Sequence, residues 1–335
     1  MKLRTLLLII AFMVLATTVA AVLLRERPVE IRELDGYPAR ILSNGTITVP
    51  VYLPDAKRGY YRAQRFDWSG IIAHVEYRGH QFWGPWVSPH DPSVNDHVNG
   101  PAEEFSMLEP PGFKETPIGD TFLKIGVGRL RKTQNFYSFS LPYELVDSGQ
   151  RTFTSGSDWI EFVHDMSEKD GYGYHYIKRI ALLAGRPALR ITHRLVNTGA
   201  KPLDTSMYCH NFSVIDGAPT GPAYEVDFPF PAEPQDPRTF RGHATLAQGK
   251  LRFVHPLVGD NTFVEMTGFA SAADNGFTLR NTEHGAAITM RADTPPSRYA
   301  LWACPTAPCP EPYIAIKLKS GEEQAWGMEY EFSVK

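Results

Sequence analysis

The chain has 335 residues and a formal charge of −3, with 34 Lys plus Arg against 37 Asp plus Glu. Hydrophobic residues at 43% and charged residues at 21% fit a globular protein with a sizeable core and exclude a disordered chain. No basic excess is available to neutralise phosphates, so the composition speaks against nucleic-acid binding. Gly and Pro, 27 of each, with 12% aromatics, favour short strands joined by turns.

Lys2 and Arg4 precede Thr5–Leu24, a run without charge that Arg25-Glu26-Arg27-Pro28 closes. A secretory apolar region is about 7–15 residues long and a spanning helix needs about 20. Residues 1–27 therefore read either as a signal peptide, cut near Thr18-Val19-Ala20 or Val19-Ala20-Ala21, or as an uncleaved membrane anchor. Both place the chain from about residue 28 onward outside the cytoplasm, in the periplasm or beyond the cell. On this reading the membrane is a partner only through the N-terminal segment.

Beyond that segment, period-two alternation predicts strands. Leu189, Ile191, His193 and Leu195 alternate with Arg190, Thr192 and Arg194. Ile314, Ile316 and Leu318 alternate with Ala315, Lys317 and Lys319, and Trp326 to Val334 repeats the pattern. One apolar and one wet face is the signature of antiparallel sheets. Turn signals fall at Ser43-Asn44-Gly45, Asn197-Thr198-Gly199, Asp274-Asn275-Gly276, Glu283-His284-Gly285 and Ser320-Gly321. Neither a repeat nor a linker divides the chain. Residues 28–335 are expected to form a single all-β domain, a large antiparallel β-sandwich of two packed sheets. Two Pro-rich stretches, 83–120 and 217–237, are predicted to be ordered loops; the aromatics and charges of the first would line a site.

No phosphate-cradling loop, Gly-x-Ser-x-Gly elbow or His-Glu-x-x-His pair is present; Gly126-Val127-Gly128 reads as a bulge. Cys304 and Cys309 flank a tight loop they could staple, leaving Cys209 free; their spacing lacks the second pair of a zinc site. Candidate site residues are therefore scattered. Arg65, Asp67 and Trp68, then His80 and Trp83, put flat rings beside planar polar groups, which suits a sugar. Asp96, His97, Glu103, Glu104 and Lys124 form a second polar group, in which one of the two glutamates should point inward on an extended segment. Ser206, Tyr208, His210, Phe212 and Val214 share one strand face. A His among aromatics is by default a core residue. Glu311 lies between Pro310 and Pro312, just before an expected strand from Tyr313 to Leu318, well placed to act as a base.

The last two groups together resemble the aldose 1-epimerases, or galactose mutarotases. Glu311-Pro312, then Leu318-Lys319-Ser320-Gly321-Glu322, then Glu329-Tyr330-Glu331-Phe332 is similar to that family's end, with Ser320 where the family usually has Pro. Leu189 to Phe212 is similar to its middle, with His210 in the place of a catalytic His. The family's Gly-Arg-x-Ala-Asn-Arg segment and its second catalytic His are not recognisable; His80 or His97 could stand in for the latter. The resemblance implies a mutarotase-like supersandwich that binds a sugar or oligosaccharide. It implies His210 as acid and Glu311 as base in anomer exchange, Arg65, Asp67 and Glu104 on substrate hydroxyls, and no metal or other cofactor. A carbohydrate-binding protein without chemistry, and a glycoside hydrolase or polysaccharide lyase on the same fold, remain open alternatives.

Overall fold

The alternating segments become strands with one buried face. In Ala188–Asn197 the side chains of Leu189, Ile191, His193 and Leu195 are buried, while Arg190 and Arg194 are exposed. The structure, a computed structural model, describes residues 31–335. The Thr5–Leu24 run lies outside the described residues. Among those described, no helix is long and apolar enough to cross a membrane. Their helical pieces are two 3-10 turns, Pro237–Phe240 and Ala272–Asp274.

Two large antiparallel sheets carry the architecture. One has ten strands, ordered from Gln150–Ser155 through Trp159–Lys169, Tyr172–Leu182, Ala188–Asn197 and Glu323–Val334 to Ala286–Ala292 and beyond. The other has six, ordered Glu233–Pro234, Thr262–Thr267, Arg298–Cys304, Ala307–Leu318, Leu203–Asn211 and Pro101–Phe105. Ile180, Ile191 and Tyr330 of the first share one core with Met207, Leu301 and Ile316 of the second. A smaller six-stranded sheet spans Arg32–Phe82, and three short strands lie between Thr121 and Asp147. The expected all-β sandwich is present, with two further sheets beside the two predicted.

Not every turn signal makes a hairpin. Ser43-Asn44-Gly45 and Glu283-His284-Gly285 do join paired strands. Asn197-Thr198-Gly199 and Ser320-Gly321 instead hand the chain from one large sheet to the other. Asn197, fully buried, binds both crossings together. Its Nδ2 donates to the carbonyls of Lys201 (2.8 Å) and Leu318 (3.1 Å), and its backbone N–H donates to Glu322 O (2.9 Å). Gly126-Val127-Gly128 is not a bulge. It closes the hairpin of Thr121–Lys124 and Gly128–Arg131, with Gly126 at φ +81°, a left-handed conformation that favours glycine. The staple open to Cys304 and Cys309 is not formed, and all three thiols are free and buried. In the hairpin register Cys304 faces Ala307 and Cys309 faces Trp302, so the two thiols are diagonal rather than opposed.

Glu311 lies inside a strand, not ahead of one. Ala307–Leu318 is one strand of 12 residues, and Glu311 pairs with Ala300. Proline lacks a ladder N–H and is ordinarily kept out of central strands, yet Pro308, Pro310 and Pro312 all lie in this one. Their spacing of two resolves the conflict: all three missing N–H groups point to the same edge. That edge faces Leu203–Asn211, where the ladder stops at the pair Tyr208–Tyr313. In place of the ladder, Asn211 Nδ2 donates to Pro310 O at 2.7 Å.

Candidate functional site

The outer face of the six-stranded sheet, turned away from the ten-stranded one, carries a cavity of about 390 Å³. Its floor follows from strand alternation. On Leu203–Asn211, Met207 and Cys209 enter the core, so Tyr208 and His210 face the cavity. On Ala307–Leu318, Ile314 and Ile316 face inward, so Glu311 and Tyr313 face outward. Trp302 comes from the neighbouring strand by the same rule. Phe263, paired with Trp302 on the next strand Thr262–Thr267, extends the floor, and loops supply Arg65, Trp86, Asp96 and Phe139.

His210 and Glu311 meet at the floor. His210 Nε2 lies 3.2 Å from Glu311 Oε1, and both residues are buried, at 5% and 3% exposure. Tyr313 Oη donates to Glu311 Oε2 at 3.3 Å. The His210 ring stacks on Phe212 (4.0 Å, 9°), which stacks on Trp86 (4.7 Å, 10°), while Trp302 stands edge-on at 5.3 Å. His210 Nδ1 is buried without a hydrogen-bond partner.

Burial dominates the protonation of this pair. It pushes the Glu311 carboxyl up to about 8, against a partial opposing pull from Arg65. It pushes the His210 imidazole well below its ordinary range, and the Arg65 charge acts the same way. At neutral pH the pair is thus uncharged, with one transferable proton held on the carboxyl.

Behind the floor lies a layer of paired charges. Adjacent strand residues point to opposite faces, so Glu103 and Glu104 separate. One points inward, as expected of an extended segment, and both are buried because Pro101–Phe105 is covered on both sides. Glu104, facing outward, accepts from Arg65 Nε (2.9 Å), Lys124 Nζ (3.1 Å) and Tyr208 Oη (2.7 Å). Burial alone would raise its carboxyl, but Lys124 and Arg65 outweigh that and lower it. Arg65 also donates to Tyr208 Oη (2.8 Å) and pairs with Asp96. Glu103, facing inward, pairs with Lys178 (2.7 Å) and His193 (2.9 Å). Burial opposes its ionisation, yet these partners hold it at about 2.

Of the residues singled out in the sequence, Arg65, Asp96, Tyr208, His210, Phe212 and Glu311 line the cavity. Glu104 and Lys124 stand one layer behind, holding Arg65 and Tyr208. The others lie elsewhere. Asp67 is buried 3.7 Å from Lys178 Nζ, and Trp68 is a core side chain whose indole donates to Ala63 O. Trp83 is fully buried against Tyr330 and Phe332. His97 Nδ1 accepts from the Asp91 backbone N–H, and His80 pairs with Asp216. The stretch 83–120 supplies Trp86, Asp96 and Met107 to the cavity, whereas 217–237 supplies none. Tyr208 and Phe212 were readable from the strand face they share with His210. Trp302, Phe139, Asn261 and Phe263 carried no such signal, since their place depends on long-range pairing.

No protein-family model matches the chain, and no curated protein matches it. Solved structures do. It is similar to a galactose mutarotase-like protein from Clostridium acetobutylicum at 11% identity and TM-score 0.56, covering 91% of this chain and 98% of that one. A galactose mutarotase related enzyme from Lactobacillus acidophilus is 13% identical, with TM-score 0.51 over 88% of this chain and 97% of that one. An aldose epimerase homologue from C. elegans is 11% identical, with TM-score 0.50 over 89% and 100%. At these identities what is shared is the fold, and it is that of aldose 1-epimerase and galactose mutarotase-like proteins.

Proposed function

We propose that the protein catalyses anomer exchange on a neutral aldose or the reducing end of an oligosaccharide, with His210 and Glu311 as its acid–base pair. The observation that carries this reading is the direct contact of the two groups on the floor of an aromatic-walled cavity. A volume of about 390 Å³ suits a small ligand. Flat faces of Trp86 and Trp302 suit the C–H faces of a pyranose.

The pair needs to give one proton and take another. With the proton on His210, the imidazolium donates to the ring oxygen while the carboxylate takes the anomeric hydroxyl proton. The C1–O5 bond breaks as the C1 carbonyl forms, C1–C2 rotates, and closure on the other face returns both protons. With the proton on Glu311 the roles exchange, and the 3.2 Å contact allows transfer between the two states. Each proton transfer is worth about 10²–10⁴-fold in rate. The sugar would enter where the two side chains now meet, so binding has to part them.

The charge arrangement supports a neutral substrate. Arg65 is already matched by Glu104 and Asp96, so it has little left for a uronate carboxylate. Glu103 and Glu104 are held in ion pairs, which counts against either as the partner of Glu311 in a retaining hydrolase, where two carboxylates stand about 5–5.5 Å apart. The reading is tested by polarimetry on freshly dissolved α-anomers of neutral hexoses. Accelerated equilibration that is lost in His210→Ala supports it. Binding of a sugar without acceleration would replace it with a carbohydrate-binding role. Export through Thr5–Leu24 belongs to the same proposal and is tested by cell fractionation.

A further inference from the structure

A second polar cluster lies away from the cavity. His80, Asp216 and His284 each offer one ligand atom, and these atoms lie within 4.8 Å of one another. His80 Nδ1 and His284 Nδ1 both stand 2.8 Å from the same oxygen, Asp216 Oδ2. The other carboxylate oxygen is already fixed, since Oδ1 accepts from the Gln81 backbone N–H at 2.8 Å. Asp216 N–H in turn donates to Gln81 O at 2.9 Å, and Asp216 is held in the left-handed region at φ +52°. The backbone thus presents one free oxygen to two imidazole nitrogens, an arrangement of borderline ligands around a common centre.

We propose that His80, Asp216 and His284 bind a divalent transition ion of the zinc class, with solvent completing the coordination. Two imidazoles and one carboxylate suit zinc and its neighbours, and do not suit Mg²⁺ or Ca²⁺, which take oxygen ligands. Bonds of about 2.0–2.1 Å in a tetrahedron put ligand atoms about 3.3 Å apart, so the 2.8 Å contacts need to open by about 0.5 Å. Room for this exists. His284 lies in the exposed hairpin turn after Gly276–Asn281, and a cavity of about 810 Å³ adjoins His80 and Asp216. The second nitrogen of each ring stays free to hydrogen-bond outward.

The location states what the ion would do. His80 belongs to the small N-terminal sheet, His284 to the ten-stranded sheet, and Asp216 to the segment leaving the strand that carries Tyr208 and His210. Positions 136 and 68 residues apart in sequence would be joined through one atom. The ion would tie three sheets together and take no part in the proton transfers at Glu311.

The test is titration of Zn²⁺ into the chelator-treated, untagged full chain by calorimetry, with Co²⁺ absorption as an independent probe of coordination. One equivalent should bind, Mg²⁺ and Ca²⁺ should not compete, and the melting temperature should rise with bound metal. His284→Ala removes an exposed turn side chain that the fold does not need. It should weaken binding by about 100-fold or more, since even an outer partner of a ligand is worth 10–100-fold. His80→Ala should do the same. No binding at one equivalent, or unchanged affinity in both variants, would overturn the proposal and leave a hydrogen-bonded His–Asp–His cluster.

Discussion

Glu311→Gln should make the protein more stable than the wild type by a margin that grows with pH. Glu311 is 3% exposed and its carboxyl is pushed from 4.5 up to about 8 by burial. The folded value lies above the unfolded one. The stability contributed by this group is therefore fully present below about pH 4.5 and is lost as pH rises through about 8. The loss runs at about 1.4 kcal/mol per pH unit between those limits and flattens above them. Relative to a glutamine that cannot ionise, the wild type should lose about 2–3 kcal/mol between about pH 5 and 7, and about 4 kcal/mol by about pH 9. Urea unfolding of both proteins at the three pH values measures this, and the comparison cancels the titrating groups that Glu311 does not touch. A gap that stays constant with pH would show that Glu311 ionises normally in the fold, and the neutral His210–Glu311 pair would be refuted.

Glu104→Gln removes the countercharge of buried Lys124 and Arg65 and should cost about 3–5 kcal/mol, read from thermal unfolding. Glu103→Gln should cost a similar amount near neutral pH by stranding Lys178. Its folded value of about 2 lies below 4.5, so the wild type holds that stability above about pH 4.5 and loses it as pH falls through 2. The gap between Glu103→Gln and wild type should accordingly narrow in acid, as urea titrations down to about pH 2 would register. Trp302→Ala takes away a ring standing edge-on to His210 and should weaken sugar binding by about tenfold, or about 1.4 kcal/mol, in NMR titrations.

The sheets were legible where one face is wet. Leu189 to Leu195 and Ile314 to Leu318 announced their buried sides through alternation with Arg and Lys. Legibility failed where both faces are covered, because no alternation then remains. Pro101–Phe105 and the first half of Ala307–Leu318 are buried on both sides, so the first read as a loop and the second as a turn. Prolines at 308, 310 and 312, a residue type that ordinarily marks turns, hide that strand although their missing N–H groups share one edge. In the site, His210 and Glu311 came from local patterns and from the resemblance of the chain's end to aldose 1-epimerases. Asp67, Trp68 and Trp83 were misleading for one reason: aromatics and charges also build cores when each finds a partner, as Trp68 does at Ala63 O and Asp67 beside Lys178. The His80–Asp216–His284 cluster could not be read at all, since its members meet only through the packing of three sheets.

The central claim is that one proton shared by His210 and Glu311 drives anomer exchange. Exchange NMR between the α and β forms of neutral hexoses, with wild type, Glu311→Gln and His210→Ala across about pH 5 to 10, tests it most directly. The account predicts enhanced exchange in the wild type that falls as the pair loses its proton above about pH 8, and none in either variant. Enhancement that survives in both variants, or its absence for every sugar while the fold is intact, would contradict it.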